Sequence, residues 1–195
     1  MGDEPTRVLK NRESLTNAIG PIQFMNQVHG DAFVVTQSIS DIDPTCDALI
    51  TDIPGLALAV LVADCIPLLL SSTTVVAAVH VGRKGLTNSI ARKVIKEMRG
   101  LGADKIHAHM GPSICGACYE VSPEIFDEVL RSHPLAAAQT KNSTPALDLP
   151  KALIGDLVSE GITYEAVPEC TLENNHLFSY RRQKNTGRNA GVVWL

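Results

Sequence analysis

Three nearly continuous apolar runs, Leu56 to Val62, Ile66 to Leu70 and Val75 to Val81, follow one another with only short breaks. A strand with one face in water alternates apolar and polar residues, whereas a strand buried on both faces does not. These runs therefore read as central strands covered from both sides. None is a membrane span. The stretch from Gly55 to Leu70 is interrupted by Asp64 and Pro67 and falls short of the roughly 20 residues a bilayer requires.

Other segments supply the cover. Pro5 to Ala18 reads as a helix closed by Gly20-Pro21, and Leu86, Ile90, Val94, Ile95 and Met98 keep helical spacing until Gly100 and Gly102. Ser122-Pro123 is a helix start, with Ser as cap and Pro in the first turn, and that helix runs to about Ser132. Pro150 to Ser159 completes the helices. Further strands are expected at Ile22 to Val28, Ala32 to Thr36, Ala48 to Thr51, Ile106 to Met110, Ile162 to Val167 and Ala190 to Trp194. Residues 134–148 read as an irregular surface loop. The mixture indicates an α/β chain. At 20.9 kDa, folding hides roughly 70% of the unfolded surface, enough for one domain over residues 1–195.

Composition narrows the partners. The net charge is −4, whereas proteins that grip nucleic acid through its phosphates carry a basic excess. The N-terminus has neither the basic start nor the apolar run of a signal peptide. Five cysteines, an odd number, argue against a secreted disulfide scaffold. The expectation is a cytoplasmic protein that binds neither nucleic acid nor membrane.

Polar residues in apolar surroundings are the candidates for chemistry. His29 ends a strand-like run, Cys65 interrupts the most apolar segment, and His80 closes another apolar strand before Gly82. Cys and His are both zinc ligands, and three protein ligands leave a fourth position open, as catalytic zinc sites do. The spacings of 36 and 15 residues match no short zinc motif, so spacing alone favours a buried thiol with two hydrogen-bonded strand-end histidines. A Cys65 nucleophile with His80 as its base is a further reading. Gly82-Arg83-Lys84-Gly85 joins an apolar strand to a helix and suits an anion at a helix start, or is a plain turn. Cys115 and Cys118 form a lone C-x-x-C; a structural zinc would want a second pair, so they read as ordinary loop thiols. His107 and His109 share one face of a strand. His133, before Pro134, reads as solvated, as does His176. Arg181, Arg182, Lys184 and Arg188 could bind an anion or form a solvated face.

Five segments occur in one order: Asn26-Gln27-Val28-His29-Gly30; Ala63-Asp64-Cys65; Ala77-Ala78-Val79-His80; Gly111-Pro112-Ser113-Ile114 with Cys118-Tyr119-Glu120-Val121; and Phe178-Ser179-Tyr180-Arg181-Arg182 with Thr186-Gly187-Arg188. Together they resemble the YfiH family, once labelled multicopper polyphenol oxidoreductase or laccase domain proteins, over almost the whole chain. The resemblance implies a layered α/β/β/α fold with mixed sheets. It also implies a zinc-dependent purine nucleoside phosphorylase acting on adenosine, inosine, guanosine or methylthioadenosine, with adenosine deamination as a second activity.

The implied metal ligands are His29, Cys65 and His80. Asp64 is offered as acid/base beside Cys65 and His80, while Asn26, Gln27, Arg83, Lys84 and Gly85 are offered for substrate and phosphate. Two departures stand out. Arg83 and Lys84 occupy places where the family usually has Trp and Arg, and the chain begins at the family's Gly-Asp-acidic-Pro motif, Gly2-Asp3-Glu4-Pro5, without the usual upstream segment. Copper fits less well: several centres would need more imidazoles than six His supply. A metal-binding protein without turnover is the non-enzyme alternative.

Overall fold

The computed structural model describes residues 4–195; Gly2 and Asp3 of the N-terminal motif lie outside them. The elements in chain order are α1 (Pro5–Ile19), β1 (Ile22–Gln23), β2 (Phe33–Val35), β3 (Ala48–Thr51), β4 (Ala57–Val62), β5 (Ile66–Ser71), β6 (Val76–Val81), α2 (Arg83–Thr87), α3 (Ile90–Gly100), β7 (His107–Met110), α4 (Pro123–Leu130), β8 (Ala137–Gln139), β9 (Pro145–Leu147), α5 (Leu149–Ser159), β10 (Thr163–Ala166) and β11 (Asn189–Val193). No helix among the described residues is long and apolar enough to cross a membrane.

Two mixed sheets carry the architecture. One has the order β1-β4-β11 and the other β10-β7-β5-β6-β3-β2, while β8 and β9 form a separate hairpin. In the larger sheet β5, β6 and β3 are antiparallel neighbours, and the outer pairs β3–β2 and β7–β10 are parallel.

Side-chain alternation explains why the apolar runs are continuous. Along β4, Leu58, Val60 and Val62 face the larger sheet, while Ala57, Ala59 and Leu61 face α1 through Leu15 and Ile19. Along β6, Val76 and Ala78 meet the smaller sheet, while Ala77, Val79 and Val81 meet the helices, chiefly Leu86, Ile90, Val94 and Ile95. The layers are thus α1, the smaller sheet, the larger sheet and α2–α5. This is the expected α/β/β/α arrangement, and each central strand is covered on both faces.

Four local expectations are corrected. The amphipathic stretch from Leu86 is two helices, because Ser89 adopts a left-handed conformation (φ 60°) between α2 and α3, and Thr87 bonds back to the Arg83 and Lys84 carbonyls. The strand from Ile22 stops at Gln23. Beyond it Asn26 bridges to Thr45, so the segment changes partner. Residues 134–148 contain the β8–β9 hairpin, because Ala136, Ala146 and Leu147 are fully buried. His133 is buried, held by Ser132 Oγ at 2.9 Å and Asp156 Oδ2 at 3.2 Å. The Ser122 cap is as expected, its hydroxyl accepting from the Ile125 N–H.

Leu58 is wholly buried between the sheets. Leu58→Ala should cost about 2–5 kcal/mol, whereas Ile42→Ala, at a site 81% exposed, should stay within about 0.5 kcal/mol. Urea unfolding of the two variants tests the layer assignment.

Candidate functional site

The alternation that builds the layers also aims His80. It shares the face of Val76 and Ala78, and so points into the space between the sheets at the open end of β6. Its neighbour across β3 is Asp47, one residue beyond the Ala48–Val79 pair, and the His80 N–H donates to the Asp47 carbonyl at 2.8 Å. The Asp47 side chain is fully buried and accepts from His80 Nδ1 at 2.7 Å.

The same carboxylate shapes the His29 segment. It accepts the N–H groups of Val28, His29 and Gly30 at 3.3, 2.9 and 2.7 Å. His29 is left-handed there (φ 60°), a conformation that a non-glycine residue adopts at some cost. Gln27 pins this turn to β4. Its amide donates to the Leu61 carbonyl at 2.8 Å and accepts from the Leu61 N–H at 2.9 Å. Sequence reasoning offered Gln27 for substrate; both ends of its amide are committed to this clamp. Asn26 bonds Thr45 on the exposed side.

Cys65 precedes β5 and lies across from Gly82. His29, Cys65 and His80 each bring a ligand atom within 4.8 Å of the others, and the two imidazoles meet edge to face at 4.7 Å. Gly82 leaves room for this. A Cβ there would stand 3.2 Å from the Cys65 sulfur and 3.4 Å from the His29 ring. Gly85 packs behind, where a Cβ would approach the carbonyl oxygens of His80 and Gly30.

The electrostatics follow from burial and partners. For Asp47, burial pushes the carboxyl up, but the bonds from His80, Gly30 and His29 outweigh it and hold the acid below its ordinary value. Burial lowers His80, but Asp47 and Cys65 raise it to about 9. Burial raises Cys65, but the two imidazoles bring it down to about 7. Without a metal, therefore, the site shifts Cys65 toward the thiolate and His80 toward the imidazolium.

Around the triad opens a cleft of about 940 Å³. Arg83, Lys84, Arg181, Lys184 and Arg188 line it, together with Tyr119 and Tyr180. Arg181 lies over the Tyr119 ring at 5.2 Å and Lys184 over Tyr180 at 4.7 Å. Arg83 approaches Glu128 at 3.7 Å. Arg182 is turned away from anion binding: its guanidinium collects the carbonyls of Thr171, Leu172, Asn174 and Leu177. Asp64, itself at φ 91°, ties the wall to the triad. Its carbonyl accepts from Ile114, and its carboxylate accepts from Thr171 Oγ1 and the Arg181 N–H, both at 2.7 Å.

A family model described as multi-copper polyphenol oxidoreductase laccase matches residues 1–195. The chain belongs to this family. Among its laccase-family relatives, the purine nucleoside phosphorylase of Corynebacterium glutamicum is 43% identical, with 100% of this chain covering 84% of the relative. That of Streptomyces coelicolor is 44% identical, with 100% and 85% covered. Among solved structures, Neisseria meningitidis protein NMB0706 superposes with a TM-score of 0.90 at 31% identity, covering 100% of this chain and 83% of that one. The Bacillus licheniformis hypothetical protein YfiH gives 0.88 at 27% identity, covering 99% and 82%.

The residues present suit a metal of the kind this laccase family suggests, in a single three-ligand centre. Two imidazoles and a thiolate are donors for zinc or copper, and the bond from His80 Nδ1 to Asp47 orients the ring as a ligand-supporting carboxylate does. They do not suit several imidazole-ligated copper ions. His133 is bound to Asp156, His176 sits in an exposed turn, and among the described residues only His107 and His109 form another imidazole pair, on β7 beside Glu165 of the edge strand β10. Asp47, which supports the centre, was missed from sequence. Its one signal was an acid beside Ala48, at the mouth of a strand.

Removing one partner of a buried, hydrogen-bonded charge pair costs about 3–5 kcal/mol. Asp47→Asn should lose stability of that order at pH 7 in metal-free protein. Because the folded-state value of Asp47 is depressed, its contribution is complete above the ordinary carboxylate pKa and disappears as pH falls toward the folded value. The gap between wild type and variant should therefore narrow on acidification, as read by urea unfolding across pH.

Proposed function

We propose that the chain is a metal-assisted purine nucleoside phosphorylase whose centre is His29, Cys65 and His80, with zinc as the metal. One observation carries the reading: a protein of net charge −4 gathers six cationic side chains, against two carboxylates, and two tyrosines around one His₂Cys triad. Cations next to aromatic faces suit a phosphate beside a planar base. The name carried by the Corynebacterium and Streptomyces relatives supports that class of substrate.

In phosphorolysis a phosphate oxygen bonds to the sugar carbon as the bond to the base nitrogen breaks. The electron pair leaves with the base, which takes up the proton that the attacking hydrogen phosphate gives up, and the products are the free purine and ribose 1-phosphate. A zinc ion bound here would act as a Lewis acid toward a substrate oxygen. Lys84, which makes no ion pair among the described residues, and Arg181 hold and orient the phosphate, reducing its repulsion from the electron-rich substrate. Tyr119 keeps its proton at neutral pH, since burial raises it more than Arg83 lowers it. It can therefore donate a hydrogen bond to the departing base. Asp64 acts as a positioning residue, linking Cys65 to the loops that carry Arg181 and Thr171.

A second reading rests on the approach of the Cys65 sulfur to the His80 ring, within 4.8 Å, which also suits a cysteine nucleophile with a histidine base. It predicts inactivation by a thiol reagent and indifference to a chelator, the reverse of a metal-dependent enzyme's response to chelation.

Zinc-loaded protein incubated with adenosine or inosine and phosphate should release free base and ribose 1-phosphate, separated by chromatography. Inosine from adenosine would instead indicate deamination. Lys84→Ala should raise the KM for phosphate by roughly 10- to 100-fold, the loss of a charged hydrogen bond, and His80→Ala should abolish turnover. Absence of any product from folded, metal-loaded protein overturns the assignment.

A further inference from the structure

A second donor cluster lies outside the triad. Cys115 and Cys118 occupy the loop between β7 and α4, and Cys170 and Glu173 the loop after β10. Three sulfurs and a carboxylate oxygen lie within 4.8 Å of one another. Tetrahedral zinc with sulfurs at about 2.3 Å separates neighbouring sulfurs by about 3.8 Å, and no pair of these donors exceeds that spacing by more than about an ångström. From sequence, Cys115 and Cys118 lacked a second pair; the fold supplies it from 52 residues downstream.

Both loops are shaped for the purpose. The 115–118 turn is closed by the Cys118 and Tyr119 N–H groups on the Cys115 carbonyl at 3.0 and 3.1 Å, and the 170–174 turn by the Asn174 N–H on the Cys170 carbonyl at 2.9 Å. Ser113 and Cys170 form a parallel bridge, the Thr171 N–H reaches the Ser113 carbonyl, and the Cys115 N–H donates to the Cys170 sulfur at 3.4 Å. All three thiols are free. Glu173 is exposed and also faces Lys141 at 3.3 Å.

We propose that Cys115, Cys118, Cys170 and Glu173 form a second, structural zinc site, closed by four protein ligands and independent of the His29, Cys65 and His80 centre. Thiolates are soft donors that select zinc over magnesium or calcium, and a full set of four protein ligands marks a structural role. Zinc would join the two loops that carry the cleft wall. Ile114 and Thr171, next to the ligands, are the residues that bond Asp64.

The test is zinc content by mass spectrometry of elements, on full-length protein purified under reducing conditions without chelator. Cys170→Ser and Cys118→Ser should each hold about one equivalent less zinc than wild type, while His80→Ala keeps that equivalent. In cobalt-substituted protein, the sulfur-to-cobalt absorption band should lose more intensity in Cys170→Ser than in Cys65→Ser, because three thiolates contribute at one site and one at the other. Circular dichroism establishes that the variants fold. Glu173→Gln, an exposed substitution that leaves the core untouched, should weaken zinc retention against a competing chelator by tenfold or more. Equal zinc content in wild type and folded Cys118→Ser and Cys170→Ser overturns the proposal.

Discussion

A single buried carboxylate, that of Asp47, underlies the candidate site. It satisfies three consecutive N–H groups of the His29 turn and the inner nitrogen of His80 at once. Without it, a left-handed turn would hold unpaired donors against a buried imidazole. A buried charge persists only when its lone pairs are occupied, and here the groups that occupy them are the two segments bearing the histidines. Position and protonation are therefore one fact: the bond that fixes the ring of His80 also raises its basicity.

The rest of the geometry follows from strand parity. Asp47 and His80 face each other across β3 and β6 because their neighbours Ala48 and Val79 pair in register. A slip of one residue would turn His80 into the helix layer and send Ala77 and Val79 toward the other sheet. Since both faces are packed, the whole apolar pattern of β6 opposes such a slip. Core packing and the placement of the candidate ligands thus rest on the same register.

The layered architecture was readable because the central runs lack polar positions, and only cover on both faces explains that. The three candidate ligands were readable as polar exceptions in apolar surroundings, although the resemblance was needed to unite them. Asp47 was hidden because an acid at a strand mouth looks like a surface residue until its partners, 17 to 33 residues away, are known. The break at Ser89 was hidden because the hydrophobic spacing from Leu86 to Met98 continues across two helices. Cys170 gave no local pattern at all; its relation to Cys115 and Cys118 exists only in the fold, through the bridge between Ser113 and Cys170 and the bond from the Cys115 N–H to its sulfur.

The division of labour along the chain bears on how the molecule is made. Every candidate triad ligand, with Asp47 and Gln27, lies between residues 27 and 80, whereas one side of the cleft, with Tyr119, Tyr180, Arg181, Lys184 and Arg188, is drawn from residues beyond 110 and tied back through Asp64 to Thr171 and Arg181, partners 107 and 117 positions away. The last strand, β11, then completes the smaller sheet against β4. Chains leave the ribosome N-terminus first, and contacts so distant in sequence form late. The candidate metal donors thus leave the ribosome well before the far side of the cleft, and the cleft is complete only when the last third of the chain has joined it.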